Sequence, residues 1–249
     1  MARAVLVTGG SRGIGAATAA AFAALGDRVA LHYGSSRERA EAVVAGLPGQ
    51  GHALVQADLA DAEEVRRMVA AAVDALGGID VLVNNAGTYV EHRIAQVDYE
   101  QWQRAWAETL AVNLVGTANV TYCVARHMIE RGGGRIVNVS SRGAFRGEPD
   151  FPAYGASKAG VNAFGQSLAL ALAPHGIAVS TVAPGFVETD MAAAVLDGEH
   201  GPAVRAQSPF GRVARPDEIA AAIVYLASAD AEWASGAVLD LNGASYLRT

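Results

Sequence analysis

At 249 residues, half of them apolar, the chain has material for one large α/β domain or two small ones, and no Pro/Ser-rich linker or charge block divides it. A net charge of −6 gives no electrostatic reason to hold nucleic acid or an anionic membrane, and the single cysteine, Cys123, cannot form an internal disulfide. A basic nucleic-acid binder and a disulfide scaffold are thereby excluded, and one folded domain spanning 1–249 is expected. The first apolar run starts at Ala4 and none reaches the length of a membrane span, so neither a signal peptide nor a membrane anchor is expected and the protein is read as cytoplasmic.

Seven short β-branched or leucine-rich runs read as strands: Ala4 to Val7, Val29 to Tyr33, Ala53 to Gln56, Val81 to Asn84, Arg135 to Val139, Ala178 to Ala183 and Ala237 to Leu241. Between them, helical patterns begin near Ile14, Arg37, Ala62, Tyr99, Tyr154 and Asp217. Gly26 is placed to end the first helix, and Asp61 with Glu64 resembles a capping box at the third. Strand and helix alternate, which specifies parallel strands joined by right-handed crossovers, and continuous apolar strands require cover on both faces. The predicted fold is therefore a doubly wound, Rossmann-type parallel sheet of about seven strands with helices on both sides.

Directly after the first strand stands Thr8-Gly9-Gly10-Ser11-Arg12-Gly13-Ile14-Gly15, which opens into an Ala-rich helix. Glycines there let the chain turn tightly and let backbone amides approach a pyrophosphate at the positive end of the helix. The strand before it and the helix after it are the context that a dinucleotide reading demands. The spacing is looser than the usual G-x-G-x-x-G.

Eighteen arginines and one lysine carry all the side-chain positive charge, and that lysine, Lys158, follows Tyr154 by four residues. One helical turn puts the two side chains on one face. A compact ammonium can stand beside a phenol and favour its ionised form in a way that a planar guanidinium cannot. A carbonyl that becomes an alkoxide needs a proton donor and a hydrogen bond as charge develops, which Tyr154 and Ser141 can supply.

With these motifs on the page, the chain resembles the short-chain dehydrogenase/reductase family over nearly its whole length. The family's T-G-x-x-x-G-x-G falls on Thr8, Gly9, Gly13 and Gly15, and its N-N-A-G on Asn84, Asn85, Ala86 and Gly87. The resemblance implies catalytic roles for Asn113, Ser141, Tyr154 and Lys158. The family's thirteen-residue interval before the tyrosine selects Ser141 over Ser140, which is expected to pack or bond locally. It further implies that Asn113 holds a water linking Lys158 to solvent; a polar residue at a kink in a long helix is the alternative. Pro184-Gly185, Val187 and Thr189 match the family's cofactor-contacting turn, and Asp58-Leu59 the pair beside the adenine.

The predicted cofactor contacts are Gly9, Ser11, Arg12, Gly13, Ile14, Gly15, Tyr33, Ser35, Ser36, Arg37, Asp58, Leu59, Asn85, Ala86, Gly87, Pro184, Gly185, Val187 and Thr189, with Tyr154 and Lys158. At the end of the second strand an NAD enzyme typically carries an acid for the ribose 2′-hydroxyl. Here Tyr33-Gly34-Ser35-Ser36-Arg37 offers none, while Arg12, the hydroxyls or Arg37 can reach a phosphate, so NADP(H) is favoured over NAD(H). A solvated first-turn arginine is the alternative for Arg37.

The six histidines show no metal-ligand spacing, so they are expected on the surface or in packing, and Trp102 with Trp106 is read as a buried helix face. Gly185 to Met191 looks like the 3-oxoacyl-carrier-protein reductases, yet Gly132 and His175 stand where those enzymes place basic carrier-docking residues. The Tyr99 to Asn113 segment is about three residues longer than usual. The expected function is NADPH-dependent reduction of a ketone or 3-oxoacyl group on a small molecule, in a homotetramer or homodimer. An NAD-dependent alcohol or sugar dehydrogenase and a non-catalytic nucleotide sensor are the alternatives. Substrate choice is expected to lie in the loop 186–207, read as a lid.

Overall fold

The computed structural model describes residues 2–248. Seven parallel strands form one sheet in the order β3-β2-β1-β4-β5-β6-β7. These are β1 (Ala4–Val7), β2 (Arg28–Tyr33), β3 (Ala53–Gln56), β4 (Val81–Asn84), β5 (Gly134–Val139), β6 (Ile177–Pro184) and β7 (Val238–Leu241). The strand order reverses between β1 and β4, so the crevice beyond their carboxyl ends is where such a sheet accepts a ligand.

Alternation along the strands sorts side chains into two cores. Ala4 and Leu6 of β1 and Leu82 of β4 join one cluster with α3 (Ala62–Leu76) and α5 (Thr117–Arg131), while Val5, Val7, Val81 and Val83 join the other with α1 (Gly13–Ala24) and α10 (Pro216–Leu226). Both faces are covered, which is why the strands read as unbroken apolar runs rather than as alternating ones. Among the described residues no helix is long and apolar enough to cross a membrane.

The six helices predicted from sequence are present, with α2 at Arg37–Ala45, α4 at Tyr99–Leu110 and the Tyr154 helix, α7, beginning earlier at Pro152 and running to Leu172. Gly26, with φ +84°, follows the end of α1 as expected. The capping box at α3 is half formed: Asp61 accepts from the Glu63 and Glu64 amides, but the Glu64 carboxylate turns back to the Asp58 amide at 2.7 Å. A complete reciprocal box appears instead at α4, between Asp98 and Gln101.

Four helices escaped the sequence pattern. Three are short: α6 (Gly143–Arg146), α8 (Asp190–Leu196) and α9 (Gly201–Arg205). The fourth, α5, continues from α4 through a π-helical turn, Ala111–Gly116, whose extra residue shifts the apolar phase. The segment 186–207 is folded rather than open, with Leu196, Val204 and Val213 forming a small apolar cluster of their own.

Phe22 of α1 is fully buried between helix and sheet. Phe22→Ala removes that ring and is expected to cost about 3–5 kcal/mol, read as a lower urea midpoint at unchanged m-value, with Phe22→Leu losing much less.

Candidate active site

A cavity of about 740 Å³ opens at the carboxyl ends of the central strands. Its floor is the glycine loop. Gly9 has φ +65°, and a Cβ there would stand 2.7 Å from the Ala86 Cα; one on Gly15 would run into the Gly9 carbonyl oxygen. The loop and the β4 end are therefore in backbone contact, a cradle that no larger residue permits.

Hydrogen bonds lock this contact from both sides. Thr8 Oγ1 accepts from the Asn85 and Ala86 amides at 3.0 and 3.1 Å, while Asn85 Nδ2 donates to the Thr8 and Gly9 carbonyls, both at 3.0 Å. Below them Asn84 Nδ2 donates to Thr121 Oγ1 and Asn138 Oδ1, tying β4 to α5 and β5.

His32, absent from the sequence prediction as a site residue, staples the loop to the sheet. Its Nδ1 accepts from the Gly9 amide at 3.1 Å, which makes Nε2 the donor to the Ala57 carbonyl, also at 3.1 Å. Only the neutral ring can do both. His92 is likewise fully buried, donating to the Val90 carbonyl and accepting from the Ala153 amide at the start of α7. Both are packing histidines, as the sequence reading expects.

The predicted catalytic residues Ser141, Tyr154 and Lys158 come together where β5 ends against α7. Ser140, buried, donates to the Lys158 carbonyl at 3.0 Å, and Lys158 Nζ donates to the Val139 carbonyl at 2.9 Å. Ser140 thus bonds locally, as expected. Ser141 Oγ accepts from the Gly143 amide at 3.0 Å, which leaves its own O–H to donate into the cavity that Tyr154 and Lys158 also line.

The predicted lowering of the Tyr154 phenol by Lys158 is not what the structure displays. Burial raises its pKa to about 12, with the Ser141 hydrogen bond opposing and the nearby Glu148 charge adding to the rise. Lys158 Nζ lies 5.6 Å from the phenol ring centroid and points at Val139, and burial brings its own pKa down to about 8.

Asn113 is fully buried in the π turn and does not line the cavity. Its Oδ1 accepts from the Thr88 amide at 2.7 Å, and its Nδ2 donates to the Thr88 carbonyl and Ser157 Oγ at 3.0 and 3.2 Å. It clamps the loop after β4 to α7, and the kink expected as the alternative is there as well.

Of the predicted cofactor contacts, Ser11, Arg12, Gly13, Ile14, Ser35, Ser36, Asp58, Leu59, Ala86, Gly87, Pro184, Gly185, Val187 and Thr189 line the cavity with Gly9 and Asn85. Gly15 sits beneath the loop. Two others stand elsewhere. Tyr33 packs into the core beside α1, because alternation along β2 sends its neighbour His32 toward the loop, and Arg37 pairs with Glu41 at 2.8 Å across one turn of α2. Arg39, which the sequence reading passed over, binds Asp190 at 2.8 Å, and Arg12 approaches the same carboxylate at 3.7 Å.

Sequence reasoning also missed the far wall. Tyr89 stacks on Phe151 with centroids 3.6 Å apart and meets Tyr154 edge-on at 4.8 Å, while Arg142, Glu148 and Phe186 complete the side opposite the glycine loop. Arg142 and Glu148 are two of four charges in the connection from β5 to α7, with Arg146 and Asp150, and nothing in the sequence separates the two that line the cavity from the two that do not.

The class that this fold and site define is that of the Rossmann-type oxidoreductases. The short chain dehydrogenase family model matches residues 3–200. The chain is 36% identical to a 3-oxoacyl-[acyl-carrier-protein] reductase of Staphylococcus aureus and 37% identical to an acetoacetyl-CoA reductase of Rhizobium meliloti, in each case over 99% of both chains. A short chain dehydrogenase of Burkholderia cenocepacia, solved in complex with NADP, superposes with a TM-score of 0.88 at 37% identity, covering 98% of this chain and 97% of that one. The protein belongs to the short-chain dehydrogenase/reductase family.

Burial lowers the His32 pKa from its ordinary 6.5. The unfolded chain therefore binds the proton first, so the stability that this ring supplies is full above 6.5 and is lost as pH falls through the folded-state value. Urea midpoints are expected to drop on acidification below 6.5, and a His32→Gln variant, weaker at neutral pH, should show a shallower acid limb.

Proposed function

We propose that the protein is an NADPH-dependent reductase that converts a ketone or 3-oxoacyl group to a secondary alcohol, with Tyr154 as the proton donor. The observation that carries this reading is geometric: Ser141, Tyr154 and Lys158 line one cavity together with the glycine loop, so a proton donor and a second hydrogen-bond donor face the space that the loop bounds. The substrate carbonyl oxygen accepts from Tyr154 Oη and Ser141 Oγ, which stabilise the negative charge as it develops. In the loaded site the hydride for the carbonyl carbon would come from the nicotinamide cofactor. The forming alkoxide takes the Tyr154 proton, and the Lys158 ammonium stands beside the phenolate left behind.

The residues present fit such a cofactor. Gly9, Ser11, Arg12, Gly13 and Ile14 line the cavity at the start of α1, where backbone amides suit a pyrophosphate, and Gly34, Ser35 and Ser36 line it without a carboxylate among them. Asp190 now holds an anionic oxygen between Arg12 and Arg39, where a 2′-phosphate would find two guanidinium groups. The NADP-bound Burkholderia relative supports the same choice.

Tyr154→Phe tests the mechanism: the ring still packs but the acid is gone, so turnover of ketones should fall at least about a hundredfold with NADPH affinity nearly unchanged. Loss of both together would make Tyr154 structural. The cationic form of Lys158 is its acid form, and its pKa is lowered to about 8, so reduction should be level below that pH and decline above it. Lys158→Arg, always charged, should be slow at every pH and lack that alkaline decline.

Cofactor choice is tested at Gly34, where an added Cβ meets nothing closer than the Ala57 carbonyl at 3.9 Å. Wild type should prefer NADPH in kcat/KM, and Gly34→Asp should shift the ratio toward NADH by about 2–4 kcal/mol, from one charged hydrogen bond gained and one like-charge clash introduced. Arg12→Ala should weaken NADPH use more than NADH use.

A further inference from the structure

Arg142 follows the catalytic serine directly and is only 3% exposed, yet no carboxylate among the described residues lies within 4.0 Å of its guanidinium. One of its five N–H groups is accounted for, by a 2.6 Å hydrogen bond from Nη1 to Ser245 Oγ, and the Phe186 ring lies 5.4 Å below its centre. Buried cations are ordinarily paired, because a charge withdrawn from water without a counter-charge is costly. The group is held in place by its own backbone amide, which donates to the Pro184 carbonyl at 2.7 Å.

The position of this unpaired charge gives it a use. Arg142 lines the cavity that Ser141 and Tyr154 line, and with Phe186 it also forms the wall of a second cavity, about 320 Å³, bounded by Ser208, Phe210 and Asn242. Glu148 is the other charged group on this side. It leans against Gly143 and lies close enough to Tyr89 and Tyr154 to raise both phenols, but stands beyond ion-pair distance from Arg142. The partner that the guanidinium lacks can therefore come from a molecule in the cavity. Because the anchor is next in sequence to the serine that meets the carbonyl, that molecule is short.

We propose that Arg142 binds a carboxylate on the substrate, so that the substrate class is a small oxo acid whose carbonyl oxygen lies at Ser141 and Tyr154 while its carboxylate pairs with Arg142. This rests on the reductase reading above and narrows its substrate. A guanidinium takes a carboxylate in a fork of two parallel hydrogen bonds, which fixes orientation as well as affinity.

The test compares matched substrates with NADPH: 2- and 3-oxo acids, their methyl esters, and the corresponding coenzyme A thioesters, on wild type, Arg142→Met and Arg142→Lys. Wild type should favour an acid over its ester by about tenfold or more in kcat/KM, and Arg142→Met should raise the acid's KM by about tenfold while changing the ester's by less than about threefold. Arg142→Lys should recover part of the acid's affinity. Equal use of acid and ester by wild type overturns the proposal. So does an Arg142→Met variant that loses both alike, the result of a purely structural tie to Ser245. Anion dependence seen only with the coenzyme A thioesters overturns it in favour of a phosphate contact.

Calorimetric titration with 3-hydroxybutyrate separates this proposal from the one beneath it. If no ketone is reduced but the hydroxy acid binds wild type and not Arg142→Met, the reductase reading fails and the carboxylate site stands. If ketones are reduced and the hydroxy acid binds both proteins equally, the reverse holds.

Discussion

A buried ammonium whose hydrogen-bond acceptor is a main-chain carbonyl sets the geometry of this active site. Lys158 Nζ reaches the Val139 carbonyl at the end of β5, and the carbonyl of the same lysine receives the Ser140 hydroxyl in return. The two bonds run in opposite directions between one strand end and one helix. They fix the distance from the strand that delivers Ser141 to the helix that delivers Tyr154, and neither needs a second charge. An acidic partner would have held the lysine's pKa high; a neutral carbonyl lets burial pull it toward the range where it can exchange a proton.

The glycine loop shows the same economy. Asn85 and His32 bind its backbone, and Thr8 binds the amides at the end of β4, so this part of the cavity wall is main chain held in place by side-chain hydrogen bonds. Pre-positioning of this kind lets the amides point outward in a fixed array before a ligand arrives. The far wall is made differently, from the Tyr89, Phe151 and Tyr154 rings and two charges, Arg142 and Glu148.

The strands were legible because burial on both faces leaves an unbroken apolar signature, and each of the seven was found within a residue or two of its predicted place. Ser141, Tyr154 and Lys158 were singled out because their spacing carries chemistry, and the fold brings all three to one cavity. What escaped was whatever depends on side-chain direction. Tyr33 was taken for a cavity residue, but the strand's alternation gives that side to His32. Arg37 was named and Arg39 passed over, but one helical turn hands Arg37 to Glu41 and leaves Arg39 facing Asp190. Glu64 has the sequence position of a capping-box partner, yet the Asp58 amide captures it first. Periodicity alone cannot decide between two acceptable partners.

The π turn between α4 and α5 reconciles two faces that a regular helix cannot present together. Within it Asn113 faces the Thr88 loop; downstream Thr121 faces Asn84 at the sheet. Because the wide turn absorbs its extra residue locally, deleting one residue from 111–116 would let it close to an ordinary α-helical turn, with Val120, Val124 and Met128 keeping their places in the core and the Asn113 clamp on the Thr88 loop being what is lost. The extra residue thus serves the loop after β4, not the packing of the helix that follows.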